Sequence, residues 1–238
     1  MRLREKLRAL QIDQAPRVLV VTAVEAERAA ILRGLGEPQG ESARDNGEPV
    51  VVLAGGVGPA TVAATTAGAL TRAEALGRPF AVAMSAGIAG GFVDRAPLGA
   101  TVLATRSVAA DLGAESPDGF LSVDDLGFGS AVHSADPDVL TALREQLPAA
   151  LVGEVLTVST VTGTAARADD LRQRHPHALA EAMEGFGVAS AAAQAGIAFA
   201  ELRTVSNPIG PRDRAAWRIE DALAALAVAG GTLASLVT

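Results

Sequence analysis

"RVLVVTAVEAERAAILRGL", residues 17–35, passes from an apolar, β-branched run (Arg17 to Ala23) into a segment of helix length (Glu25 to Leu35) with one residue between them. The run reads as a strand buried on both faces, which places a helix directly after a strand of a covered sheet. The rest of the chain repeats the theme. "PVVVLAG" (Pro49 to Gly55), "FAVAMSAG" (Phe80 to Gly87), "ATVLATRSV" (Ala100 to Val108), "GEVLTVST" (Gly153 to Thr160) and "IAFAELRTVS" (Ile197 to Ser206) are further strands. Helical segments are expected at Pro59 to Leu76, Asp136 to Leu147, Ala165 to Arg174, Glu184 to Ala195 and from about Trp217 to Leu236. Such alternation predicts an α/β fold: a single-domain, three-layer α/β/α arrangement around a central mixed, mostly parallel twisted sheet.

No composition break divides the 238 residues, so one domain is expected over 17–238, behind a charged N-terminal extension at 1–16. The stretch Gly36 to Pro49 reads as a surface turn region. The segment Ala109 to Ser134 is too long for an idle connection and is expected to be a functional loop with room for a short hairpin. Hydrophobic residues make up 49% of the chain, ample for a core. Twenty-seven acidic against twenty basic residues give a net charge of -7, without a basic run, which argues against nucleic acid as a partner. The absence of cysteine excludes disulfides, thiolate metal sites and a cysteine nucleophile. With no apolar signal region near the start and no run approaching the ~20 residues of a membrane span, the expected location is the cytoplasm.

In a sheet of this type ligands collect beyond the C-terminal strand ends. The segments there are rich in small residues: "GGVGPA" after the second strand, "SAGIAGG" after the third, "STVTGT" after the fifth and "SNPIGPRD" after the last. None is a phosphate loop or a dinucleotide fingerprint, but glycines at such points let a ligand approach backbone amides. Three polar residues stand beside them. Glu27 falls in the first helical turn after strand one, where the helix dipole alone also accounts for acidic residues such as Glu25 and Glu27. Glu184 opens an almost uncharged helix, a carboxylate suited to accepting hydrogen bonds from two vicinal hydroxyls. Asn207, held extended by Pro208, either makes a turn or presents one donor and one acceptor to a heterocycle edge.

"TAVEAE" after strand one, "SAGIAGG" after strand three, "EAMEG" opening a late helix and "RTVSN" after the last strand together resemble the nucleoside phosphorylase/nucleosidase superfamily. Within it the chain is most similar to the methylthioadenosine/S-adenosylhomocysteine nucleosidase branch, and "SNPIGPRDRAAW" looks like the futalosine hydrolases of the alternative menaquinone pathway. The resemblance runs from about Val18 to the C-terminus. It implies hydrolysis of the N-glycosidic bond of futalosine to release hypoxanthine, by a homodimer or larger homo-oligomer that needs no cofactor and no metal.

The resemblance also implies roles for individual residues. Glu27 activates water, Glu184 binds the ribose hydroxyls, and Met183 packs against the sugar. Ile88, Ala89 and Gly90, with Ser206, line the site. Thr162 and Gly163 contact the purine through the backbone, in a loop that lacks the family's usual aromatic. Asn207 stands where adenine-specific relatives carry Asp, and its amide suits a 6-oxopurine: nitrogen donating to O6, oxygen accepting from N7–H. Trp217 matches an aromatic position covering the sugar and its 5′ substituent, although plain packing explains a single tryptophan equally well. Arg212 or Arg214 is a candidate for the substrate's carboxylate. Purine nucleoside phosphorylase and methylthioadenosine/S-adenosylhomocysteine nucleosidase activities are the neighbouring alternatives, and a nucleoside-binding protein without turnover is a third. Phosphorolysis requires an anion beneath the sugar, where Glu27 would repel it by several kcal/mol at ~4 Å. Of the three histidines, His175 and His177 flank Pro176 with no third ligand close in sequence, a poor metal site.

Overall fold

The computed structural model describes residues 16–37 and 48–237. The opening segment forms β1 (Val18–Thr22) and α1 (Glu25–Leu35). All five residues of β1 are buried, since it pairs in parallel with β2 (Val50–Ala54) on one edge and β3 (Val82–Gly91) on the other. Its two faces feed separate cores. Val18 and Val20 meet Ile31 of α1 and Leu226 of α6 (Ile219–Gly230), whereas Leu19 and Val21 meet Val62 of α2 (Pro59–Ala75) and Val188 of α5 (Gly185–Ala195). That is the three-layer arrangement expected for a strand apolar on both sides.

The remaining elements are β4 (Thr101–Ala109), β5 (Gly113–Ser116), β6 (Gly119–Ser122), β7 (Val132–Ser134), α3 (Pro137–Gln146), β8 (Leu151–Thr157), α4 (Ala165–Arg174), β9 (Ala178–Ala182) and β10 (Ala198–Pro208). The sheet is mixed and, beyond β3, it closes. β3 pairs in parallel with β10, β10 antiparallel with β4, β4 in parallel with β8, and β8 in parallel with β9. β9 then returns antiparallel to the far end of β3 through Gly90↔Glu181 and Gly91↔Ala180. All five strands contribute to one cluster, largely alanine and valine: Ala89, Val102, Ala104, Val155, Ala180 and Val205. Small side chains are what a ring of five strands has room for.

This closure corrects the sequence reading of "SAGIAGG". These residues do not form a loop after the third strand; they lie within β3, which runs on to Gly91. A Cβ on Gly91 would sit 2.4 Å from the Ala96 carbonyl oxygen and 2.6 Å from Val205, so glycine is needed where the chain crosses its neighbours. β9, built from "ALAEA", was not among the expected strands, because alanine and glutamate have low strand propensity and only tertiary pairing recruits them. The Ala109 to Ser134 segment does carry a hairpin, β5 with β6, and β7 besides. The C-terminal helix is shorter than expected: Trp217 precedes it, Arg214–Ala216 form a 3-10 turn, and Leu233–Leu236 form another after Gly230. Segment 214–236 has the length and apolarity of a membrane span, yet its Leu226, Ala229 and Leu233 are core residues. The extension 1–16, apart from residue 16, and most of the turn region 36–49 lie outside the described residues.

Candidate active site

Glu25 and Glu27, both in the first turn of α1, behave differently. Glu25 is exposed and pairs with Arg28. Glu27 is 3% exposed and turns back toward the sheet: Oε2 accepts from the Ala23 and Val24 amides (2.9 and 3.1 Å), and Oε1 accepts from the Ile88 amide of β3 (2.8 Å). The second of these bonds is half of a capping box, the carboxylate at N3 reaching the N-cap amide of Val24. The third ties the helix to the middle of β3. The approach is possible because residue 87 is glycine; a Cβ there would lie 2.5 Å from Glu27 Oε1 and 3.0 Å from Arg203 Nη1. Burial raises the Glu27 pKa above the ordinary carboxylate value, opposed by the Ile88 amide and the charge of Arg203.

Arg203 was not singled out from the sequence, and it organises the site. It is fully buried on β10, donating from Nε to Glu201 Oε1 (3.0 Å), from Nη1 to Glu184 Oε2 (3.3 Å) and from Nη2 to Ser85 Oγ (2.7 Å). Glu184 sits at the N-cap of α5 without capping it; its oxygens instead face the amides of Gly58 (3.4 Å) and Met183 (3.2 Å) and the Arg203 guanidinium. Gly58 has φ of 90°, a conformation glycine supplies, and it aims its N–H across from the β2–α2 loop. Glu201 is buried completely, with Oε2 unpartnered, and burial pushes its pKa up against the pull of Arg203. Three carboxylates therefore surround one guanidinium. The signal was present in "FAELRTVS", two charges with strand spacing inside an apolar run, but those residues lie one layer beneath the ligand side chains.

The expected purine-side residues are contiguous with this cluster along β3. A bulge in the β10–β3 ladder between Val205 and Asn207 turns Asn207 toward Gly90, where a Cβ would come within 3.2 Å of Asn207 Nδ2. The Ser206 hydroxyl lies between the Ala89 carbonyl oxygen (3.2 Å) and Asn207 Oδ1 (2.9 Å), and Asn207 Nδ2 donates to the Pro208 carbonyl (3.1 Å). Thr162 is tied to this end through Glu181, opposite Gly90 in the ladder, while Gly163 is exposed. Met183 is half-buried beside Glu184. Ile88 contributes its amide to Glu27 and leaves no N–H for a ligand.

Trp217 is half-buried at the end of the 3-10 turn, linked to the site by the Arg218 amide donating to the Ser206 carbonyl (2.7 Å). The guanidiniums of Arg212 and Arg214 both lie against its ring, 5.4 and 5.8 Å from the centroid. A cavity of about 650 Å³ opens beside Trp217, Arg214 and Arg218. A second groove, about 580 Å³ between Arg106, Phe120, Arg174 and His175, contains none of the residues around Glu27. His133 packs on Phe186 and shares a hydrogen bond with Ser190. Among the described residues no three His, Asp or Glu side chains are grouped to hold a metal.

Residues 18–238 match the family model of the phosphorylase superfamily. Futalosine hydrolase of Streptomyces coelicolor is 55% identical over 226 residues, covering 92% of this chain and 96% of the relative. Futalosine hydrolase of Acidothermus cellulolyticus is 45% identical, covering 89% and 90%. The fold is also that of Helicobacter pylori futalosine hydrolase, with a TM-score of 0.73 at 18% identity over 94% of this chain and 97% of that one. With its own geometry and these likenesses in agreement from Val18 onward, the chain belongs to the phosphorylase superfamily and, within it, to the futalosine hydrolase family.

Proposed function

We infer that this protein is a nucleosidase that hydrolyses the N-glycosidic bond of futalosine, releasing hypoxanthine in the futalosine route to menaquinone. The observation that carries the mechanism is the Glu27 carboxylate, buried and fixed by three backbone amides beside the Arg203–Glu184 pair. A carboxylate whose pKa is raised by burial is suited to general-base work.

Glu27 takes a proton from water as the water oxygen bonds to C1′. The C1′–N9 bond breaks, and its electron pair leaves with the purine, which takes a proton at N7 from solvent water, while Glu27 returns to solvent the proton it took from the attacking water. The Asn207 amide, oriented by Ser206, holds the 6-oxopurine edge as that charge develops. Glu184, with Met183, holds the ribose, and its negative charge stabilises the oxocarbenium-like transition state. Thr162 and Gly163 meet the base. Trp217 with Arg212 covers the 5′ tail, a cation and an aromatic face together suiting an aromatic carboxylate. Water is favoured over phosphate because Arg203 is already engaged by Glu201, Glu184 and Ser85 and Glu27 makes the nearby space negative.

The enzyme works as a cytoplasmic homo-oligomer in which the β5–β6 region covers a neighbour's site; the exposed side chains of Leu112, Leu121 and Phe128 in this segment support this. Light scattering tests the assembly. The activity is tested by chromatography of base released from futalosine, aminodeoxyfutalosine, inosine and methylthioadenosine, with and without phosphate. Phosphate-independent hypoxanthine from futalosine is expected, and phosphate-dependent release from inosine would overturn the role given to Glu27.

A further inference from the structure

Glu181 is a buried carboxylate that the mechanism above does not use. It is 5% exposed, and among the described residues it has no cation at ion-pair distance. Burial raises its pKa, opposed chiefly by hydrogen bonds from Thr162; Arg167 of α4 attracts it and Asp111, beyond β4, repels it. Placing an acid there costs free energy unless its acceptors are used. Both are used on one residue. Oε1 accepts from the Thr162 amide (2.8 Å) and Oε2 from the Thr162 hydroxyl.

Thr162 belongs to the loop at residues 158–164 between β8 and α4. The Val158 amide donates to the Ala182 carbonyl (3.0 Å), the Ser159 amide to Asp111 Oδ2 (2.6 Å), and the Thr164 hydroxyl caps α4 by accepting from the Arg167 amide (3.2 Å). Glu181 supplies the anchor in the middle, leaving Val161 and Gly163 exposed on either side. Its own position is fixed by the closure of the sheet, opposite Gly90 of β3 and Leu156 of β8. One strand thus joins the loop to the β3 residues beside Asn207.

We propose that Glu181 is a positioning residue for purine binding: through Thr162 it holds the 158–164 loop at a fixed distance from Gly90 and Asn207, so that backbone groups meet the base ring. This rests on the nucleosidase reading of the site. The loop contains no aromatic side chain to stack on a purine. Recognition by backbone groups depends on where the backbone is held, and a preorganised loop avoids the ordering cost on binding.

Three variants test it. Glu181→Leu removes both acceptors. Glu181→Gln keeps the shape, with its oxygen accepting the Thr162 amide and its nitrogen donating to the hydroxyl. Thr162→Val removes half the clamp and guards against a misfolded leucine variant. The expected result is a KM for futalosine raised about tenfold or more in Glu181→Leu with kcat nearly kept, a smaller rise in Thr162→Val, and recovery in Glu181→Gln. Hypoxanthine affinity by calorimetry should fall in the same order, and hydrogen exchange at the Thr162 amide should rise in Glu181→Leu alone. Lowered thermal stability with unchanged KM and hypoxanthine affinity would overturn the proposal. If the wild-type protein released no base from futalosine, the functional reading would fall, while the hypoxanthine affinities would still decide the clamp. A wild-type protein that neither releases base from futalosine nor binds hypoxanthine overturns both.

Discussion

Gly87→Ala adds one methyl group between the carboxylate of Glu27, the proposed base, and the guanidinium of Arg203. The backbone at Gly87 lies outside the left-handed region, so alanine meets no conformational penalty and the whole effect comes from contacts. The new Cβ would stand 2.5 Å from Glu27 Oε1, against 3.4 Å for the near edge of ordinary contact, so about 0.9 Å of movement is required, the difference of the two. Glu27 is the partner that must yield, since residue 87 is part of β3 and pairs with Arg203 of β10 in the ladder. Movement of that size breaks or bends the 2.8 Å bond from the Ile88 amide. A hydrogen bond to a charged group contributes about 1.5–3 kcal/mol, and a misplacement near 1 Å at a catalytic group costs about 10²-fold. We expect kcat/KM to fall about a hundredfold, or about 2.7 kcal/mol, with about 1–3 kcal/mol lost in stability from overpacking. The control is Gly68→Ala in α2, where an added Cβ meets nothing within 4 Å and helix propensity should raise stability slightly. Initial rates with futalosine and thermal unfolding of both variants decide the matter. A Gly87→Ala enzyme with wild-type kcat/KM would show that Glu27 need not be held where β3 holds it, and the mechanism would lose its base.

Further outcomes follow from the same groups. The pKa of Glu27 is raised in the folded state, so kcat/KM should fall with decreasing pH through a value above the ordinary glutamate range; an acid limb at the ordinary value would count against Glu27 as base. Because the raised carboxylates Glu27, Glu181 and Glu201 bind protons more tightly folded than unfolded, their contribution to stability is present below the unfolded pKa and lost as pH rises through the folded one. Melting temperature should therefore be higher in mild acid, as differential scanning fluorimetry would record, while Glu27→Gln, whose amide nitrogen cannot accept from the backbone amides that hold the carboxylate, should abolish turnover in an activity assay without raising the melting temperature. Asn207→Asp should move base preference from hypoxanthine toward adenine nucleosides, and an unchanged preference would remove Asn207 from base recognition. Arg203→Met leaves three buried carboxylates without their cation; a cost of about 3–5 kcal/mol corresponds to roughly 6–20 °C in melting temperature for a chain of this size. A variant as stable as wild type would mean that the cluster's carboxylates are neutral without it.

Much of the architecture was legible because β1 and β2 are continuous apolar runs, β4, β8 and β10 are largely apolar with one or two charged residues each, and α1 and α4 have ends marked by composition. What could not be read was closure. β9 is five residues of alanine, leucine and glutamate whose strand character comes only from lying between β8 and β3, and "SAGIAGG" reads as a loop because its glycines serve close packing instead of turns. The site divides in the same way. Residues whose side chains end at strand tips or helix starts, Glu27, Glu184 and Asn207, could be picked from the sequence. Arg203, Glu201 and Glu181 sit in strand interiors, where a charged residue in an apolar run is a signal without an address.

Their positions explain why the site holds so many acids. In the proposed mechanism a ribose-binding carboxylate, Glu184, and a water-activating carboxylate, Glu27, lie close together, and the charge of Glu184 adds to the rise in the Glu27 pKa. One guanidinium between them relieves that repulsion, but a free arginine in the same place would attract phosphate and turn the pocket toward phosphorolysis. Glu201 resolves the conflict by engaging Arg203 from beneath, at 3.0 Å, with no exposure to solvent. On the proposed mechanism the arginine, engaged by Glu201, Glu184 and Ser85, holds the carboxylates in place without recruiting an anion. Adding inorganic phosphate to a Glu201→Gln variant tests this balance: inhibition by phosphate, or phosphate-dependent cleavage, should appear there and not in the wild-type enzyme, and equal insensitivity in both would show that Glu201 has no part in the choice of nucleophile.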